Sequence, residues 1–159
     1  MRTEVNWEQF AAARPDLAEA GAQLFYQFGV GLAFLSTVRS DGGPRLHPMC
    51  PVLISGRLLA HIVPSQKRDD LYRDPRYAMH SFPVPDNEDA FYLTGSAHPV
   101  PDADLVRRAG AQFRAERAYP AEPPEFAAGV FFEFLIGRCL LTRTTGHDDW
   151  NPQHSTWSA

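Results

Sequence analysis

The chain has 159 residues, a mass of 17.8 kDa, a net charge of −4 and a pI near 5.8. That length suits one domain with a real core, and the 44% hydrophobic and 12% aromatic content excludes a disordered chain. The acidic balance without a basic stripe speaks against nucleic acid, and Cys50 and Cys139 make no disulfide framework. The first residues lack the apolar core of a signal peptide, and no apolar run has the roughly 20 residues that span a bilayer. A cytoplasmic protein that avoids membranes is expected.

The opening segment, 1–30, reads as helical. Trp7 and Phe10 suggest a short turn after Thr3 or Asn6. Pro15 suits the first position of a second helix, along which Leu17, Ala20, Leu24 and Phe28 recur at helical spacing until Gly29 and Gly31.

From Leu32 the pattern changes to strand. Leu32 to Arg39 is followed by the hairpin turn Ser40-Asp41-Gly42-Gly43. The return strand, Pro44 to about Ile54, carries Pro44, Pro48 and Pro51, which cannot donate to a ladder, so it needs an edge, a bulge or a non-protein neighbour. Ser55-Gly56 turns into a third strand, Arg57 to Val63.

The next segment holds Lys67, the only lysine; the other 14 of the 15 basic residues are arginine. Ser65 is a favoured N-cap, so Lys67 and Arg68 fall in the first turn of a helix. Cations there oppose the helix dipole, and the conflict disappears when an anion sits on the free N–H groups, the Ser65 hydroxyl and the two cations. The reading is a phosphate site; the alternative is that Asp69 and Asp70 merely neutralise an exposed turn.

Strands are expected over Arg76 to Phe82 and Ala90 to Val100. Asp102 then caps a helix with Leu105, Val106, Ala109 and Phe113 inward, while Arg107, Arg108, Arg114 and Arg117 face water. A Pro/Glu-rich connector leads to a last strand, Gly129 to Thr144, apolar on both faces. The tail, 146–159, is polar and aromatic, and ordinary packing is expected of Trp150 and Trp157. About six hairpin-joined strands over 31–145, with helices at the ends, describe one small antiparallel barrel. The covered outer face of its last strand implies a two-fold homodimer.

There is no Walker A loop, His-Glu-x-x-His or nucleophile elbow, and Gly29-Val30-Gly31 precedes a strand and lacks the third glycine of a dinucleotide fingerprint. His47, His61, His80 and His98 lie on separate strands without ligand spacing, so no metal site is expected. Cys50, with apolar neighbours, reads as a structural thiol.

Phe34 to Pro48, then Ser65-Gln66-Lys67-Arg68, then Asp70 to Tyr77 and Phe91 to Ala97, in that order and spacing, resemble the pyridoxamine 5′-phosphate oxidase-like, FMN-binding split-barrel superfamily. The resemblance implies a six-stranded split β-barrel whose homodimer holds FMN at its interface and acts as an oxidoreductase on a small molecule. It implies that Ser65, Lys67 and Arg68 hold the FMN phosphate. His47, Pro48, Met49 and Cys50 then run beside the ribityl chain and ring, and His61 and Ile62 line the same groove. His47 stands where the oxidases have an arginine and Val52 where they have a lysine, and their C-terminal Arg-x-His motif is missing. The resemblance therefore does not extend to vitamin B6 oxidation. Other uses of such a fold are a non-catalytic cofactor carrier, or a deazaflavin or haem protein with His47, His61 or His80 as the axial ligand.

Overall fold

The computed structural model describes residues 3–159. Asn6 opens the first helix, α1 (Trp7–Ala13), with a capping box: its Oδ1 accepts from the Gln9 N–H at 2.9 Å, and Gln9 Oε1 accepts from the Asn6 N–H. The second helix, α2 (Pro15–Phe25), starts on its proline and buries Leu17, Leu24 and Phe25. Phe28, expected on its inner face, lies beyond the helix end and is 49% exposed.

Eight strands follow: β1 (Ala33–Val38), β2 (Pro44–Met49), β3 (Pro51–Ile54), β4 (Arg57–Ile62), β5 (Arg76–Ser81), β6 (Ala90–Pro99), β7 (Val130–Arg143) and β8 (Gln153–Ser158). The helix α3 (Gln66–Arg73) joins β4 to β5, and α4 (Ala103–Glu116) joins β6 to the connector before β7. The strand order is β2-β1-β5-β6-β7-β4-β3, antiparallel throughout. The two end strands, β2 and β3, are separated in the chain by Cys50 alone. The sheet must therefore curl until its ends meet, which makes a barrel split where β2 and β3 share no ladder.

Two expectations about the strands change. The return strand breaks at Cys50 into β2 and β3, so all three prolines lie on the end strands, where a missing donor costs least. The tail supplies an eighth strand, β8, which pairs with β7 from Arg138↔Ser158 to Arg143↔Gln153. One edge of β7 is thus shared in succession by β4, a bridge between Val5 and Ile136, and β8.

Leu35, Met79, Leu93, Phe134 and Ile136 fill the barrel and are fully buried. The helices α1 and α2 stopper one end: the Trp7, Phe10 and Phe25 rings surround Phe91, with centroids 5.5–6.4 Å away. Burying that phenylalanine contributes about 1.5–3 kcal/mol. The close approach of α2 requires Gly21, because a Cβ there would lie 2.3 Å from the Phe91 ring.

The outer apolar face at the start of β7 is covered within the same chain. Phe131 packs with Leu59 against Leu105 and Ala109 of α4, so no partner subunit is needed to bury it. Arg117, expected to face water, instead lies with its guanidinium carbon 4.0 Å from the Phe113 ring centre and donates to the Gly31 carbonyl at 2.9 Å. Its side chain is 9% exposed. Trp157 packs on Phe10, whereas Trp150 is 93% exposed.

Candidate functional site

At the open end of the barrel, the ends of β2 and β4 meet the first turn of α3. A cavity of about 270 Å³ there is lined by Pro48, Met49, Cys50, His61 and Lys67, with Phe126 and Tyr119 of the connector as its far wall. The structure thus brings together five of the nine residues singled out in the sequence. Strand alternation puts Arg45, His47 and Met49 on one face of β2; of the three only Met49 lines the cavity, while Arg45 reaches α3 at Asp70 and Gln66.

Lys67 is partly buried and, among the described residues, its ammonium has no hydrogen-bond or ion-pair partner. Burial pulls its ammonium below the ordinary lysine value, with a small opposing influence from Cys50. The Gln66 and Lys67 N–H groups find no acceptor among the described residues, while those of Arg68 and Asp69 bond to the Ser65 carbonyl at 3.0 and 3.1 Å. The helix start therefore presents free donors beside an uncompensated cation.

Ser65 occupies the N-cap position with extended backbone, but its hydroxyl does not cap; it donates to the Val63 carbonyl at 2.9 Å. Arg68 does not line the cavity: one terminal nitrogen donates to the Ala128 carbonyl at 2.8 Å, tying α3 to the connector, and its Nε is buried without a partner. Ile62 points into the barrel core and is 1% exposed, so its side chain faces away from the cavity. His47 sits beside Lys67 with its Nε2 buried and unpartnered, and burial, then Lys67 and Arg45, hold it below the usual histidine value.

His61 is packed more tightly than a groove-lining residue needs. Its ring stacks on Phe126 at 3.6 Å with 7° between planes, meets Phe131 edge-on, and its Nε2 lies 3.0 Å from the Phe126 carbonyl. A Cβ on Gly129 would lie 2.0 Å from the same ring, so only glycine fits there. Burial lowers the His61 pKa, and the Phe126 carbonyl and Glu122 only partly offset that.

Two residues shape the site in ways the sequence did not show: Arg45, and Asp70, which the alternative reading had merely neutralising an exposed turn. Asp70, 3% exposed, accepts from Thr37 Oγ1 at 2.8 Å, Arg45 Nε at 2.6 Å and Arg73 at 3.1 Å. Burial pushes its carboxyl up, but the Arg45, Thr37 and Arg73 hydrogen bonds together hold it below the usual carboxylate range. Arg45 also donates to Gln66 Oε1 at 2.5 Å, so β2 and Asp70 jointly fix the first turn of α3. Alternation along β2 was the available signal for Arg45; nothing local marked its partner.

No family model and no curated protein matches this chain. Solved structures do. A putative pyridoxamine 5′-phosphate oxidase from Listeria innocua superimposes with a TM-score of 0.59 at 14% identity, over 74% of this chain and 91% of that one. This chain has the split-barrel fold of the pyridoxamine 5′-phosphate oxidase-like proteins. An F420 reductase shares the split barrel at a TM-score of 0.56 and 22% identity, over 68% of this chain and 87% of that one. A haem-binding protein from Mycobacterium smegmatis shares it at 0.64 and 16% identity, over 91% of this chain and 59% of that longer one. Eight strands here differ from the six expected, and the difference lies in the break at Cys50 and the added β8. Among the described residues no three potential metal ligands cluster, and no helix is long and apolar enough to cross a membrane.

Proposed function

We infer that this split barrel binds the phosphate of a flavin nucleotide, FMN first, at Lys67 and the free amides of Gln66 and Lys67, and serves as a flavin-dependent oxidoreductase of small molecules in the cytoplasm. The observation that carries this reading is a partly buried ammonium with no ion-pair partner among the described residues, although Glu125 lines the same cavity, placed beside free helix-start donors. An uncompensated charge taken partly out of water is costly, and a phosphate there removes the cost. The residues fit the group: the orphaned His47 Nε2 adds one more polar atom beside Lys67, and Pro48, Met49 and Cys50 give a mostly apolar flank for a ring. A bound flavin would supply hydride chemistry at N5; the chain's own part is to hold the phosphate, orient the ring against β2 and exclude water.

A homodimer belongs to the same reading. The registers align Pro48, Phe34, His80, Tyr92, Leu140 and Thr156 in one row across six strands, none of them buried. Beside that row Leu46 is 66% exposed. Pro48 lines both this face and the Lys67 cavity, and about 270 Å³ is small beside the roughly 300–1,000 Å³ of small-molecule pockets. A second subunit on this face would supply the missing wall. Light scattering that reports a monomer at micromolar concentration overturns that part.

FMN is expected to bind about 10–100-fold more tightly than riboflavin, which lacks the phosphate, and Lys67→Ala is expected to erase the difference. Equal affinities in the native protein would remove the phosphate assignment. Deazaflavin also carries phosphate and haem carries carboxylates, so mass spectrometry of the ligand released from purified protein decides among the three. Reduction of the bound cofactor by NADH or NADPH, followed by transfer to an acceptor, separates an enzyme from a carrier.

A further inference from the structure

The stack of His61 on Phe126 is a partition with a second cavity behind it. This cavity, of about 440 Å³, lies between α4, the connector and the start of β7, and His61 and Phe126 line both chambers. Its floor is apolar, formed by Val106, Val130 and Phe131. Arg114 reaches over it: a Cβ on Gly110 would lie 3.7 Å from an Arg114 terminal nitrogen, 3.6 Å from the Phe126 ring and 4.0 Å from the Phe131 ring. One guanidinium and two aromatic rings therefore converge on the space above Gly110.

Three features set this space apart from an accidental gap. The Arg114 guanidinium makes no hydrogen bond among the described residues; it is ion-paired only loosely, with Glu122 on the same rim at 3.5 Å, and Arg107 also lines the cavity. The other arginines of the helix are engaged, Arg107 and Arg108 with Asp104 at 2.6 and 2.9 Å and Arg117 with Gly31. Gly110 lies in the middle of α4, where glycine is less stable than alanine, although a Cβ would meet its neighbours at ordinary contact distance. The glycine keeps open the gap where the guanidinium and the two rings meet at the edge of the cavity, which a Cβ would fill.

We propose that this cavity is a second ligand site, for a small carboxylate with an apolar, ring-sized body. Arg114 grips the carboxylate with its planar fork, and the body lies against Phe126, Phe131 and Val106. The volume falls within the range of small-molecule pockets. The site uses none of the phosphate-binding groups, so it stands whether or not FMN binds.

Calorimetric titration of the full chain with 1-naphthoate, and with the neutral 1-naphthylmethanol, tests it. Saturable one-to-one binding of naphthoate is expected, with the alcohol weaker by about tenfold or more. Arg114→Gln should reduce naphthoate affinity to that of the alcohol, and Gly110→Leu, checked for fold by circular dichroism, should abolish both. Lys67→Ala should change neither, which separates this site from the phosphate site. No saturable binding at millimolar naphthoate, an unchanged affinity in Arg114→Gln, or a loss in Lys67→Ala each overturns the proposal. Arg114→Gln alone decides if Gly110→Leu does not fold.

Discussion

Lys67 and Asp70 lie three residues apart on α3 and have opposite fates. Asp70 is buried and bonded by Thr37, Arg45 and Arg73 from two other directions of the fold. Lys67 is partly buried, and its ammonium is bonded by nothing among the described residues. A fold that pairs one charge so fully has the means to pair the other, and Asp69 stands two residues away on the same helix. The contrast separates a charge that holds the structure from one that the structure leaves for something else.

Substitution at the two positions should therefore split stability from binding. Asp70→Ala strands Arg45 and frees the first turn of α3. The loss expected is about 3 kcal/mol, the low end for a buried pair because Arg45 and Arg73 keep some solvent. A denaturant midpoint within error of the native one would show that the Asp70 network is decorative. Lys67→Ala should do the reverse: stability within about 0.5 kcal/mol of the native protein, and FMN binding weaker by about 1.5–3 kcal/mol. A variant that loses stability instead would place Lys67 with Asp70 as a structural charge.

Acid sharpens the comparison further. The folded-state pKa of Asp70 is depressed, so its contribution is present above the unfolded value and disappears as pH falls through the folded one. Urea midpoints measured from neutral pH downwards should fall below about pH 4, the ordinary aspartate value. Asp70→Asn should flatten part of that fall, and an identical profile in the two proteins would refute the coupling. The smallest effect is expected at Arg68, whose bond to the Ala128 carbonyl is one exposed contact. Arg68→Ala should cost about 0.5–1.5 kcal/mol of stability and little FMN affinity. An effect on binding as large as that of Lys67→Ala would return Arg68 to the phosphate site.

What could be read from the sequence follows from the range of the interactions involved. The turn at Ser65 to Arg68 is local, so its helix start and its misplaced cation were visible in four residues. The prolines at 44, 48 and 51 announced trouble on the return strand, but only the sheet order shows that the trouble is a break between its two end strands. Strand β8 had no such signal, because Gln153 to Ser158 is mostly polar and becomes a strand only by pairing with β7. Arg117 was misjudged for a related reason: arginine on a helix normally faces water, and the Phe113 ring four residues earlier makes an exception that composition does not show. Phe126 lies in a connector without periodicity, so its stack on His61, and with it the partition between two cavities, emerged only from the fold.

The single residue between β2 and β3 has a consequence for accuracy of assembly. Because side chains alternate along a strand, a slip of one position in the β1–β2 hairpin would turn Arg45 and His47 to the wrong side. Cys50 transmits any such slip directly to β3, where it would spoil the pairing with β4, from Pro51↔Ala60 to Ile54↔Arg57. Each hairpin thus proofreads the other, and the position of the groove-facing side chains is guarded by a ladder in which they take no part.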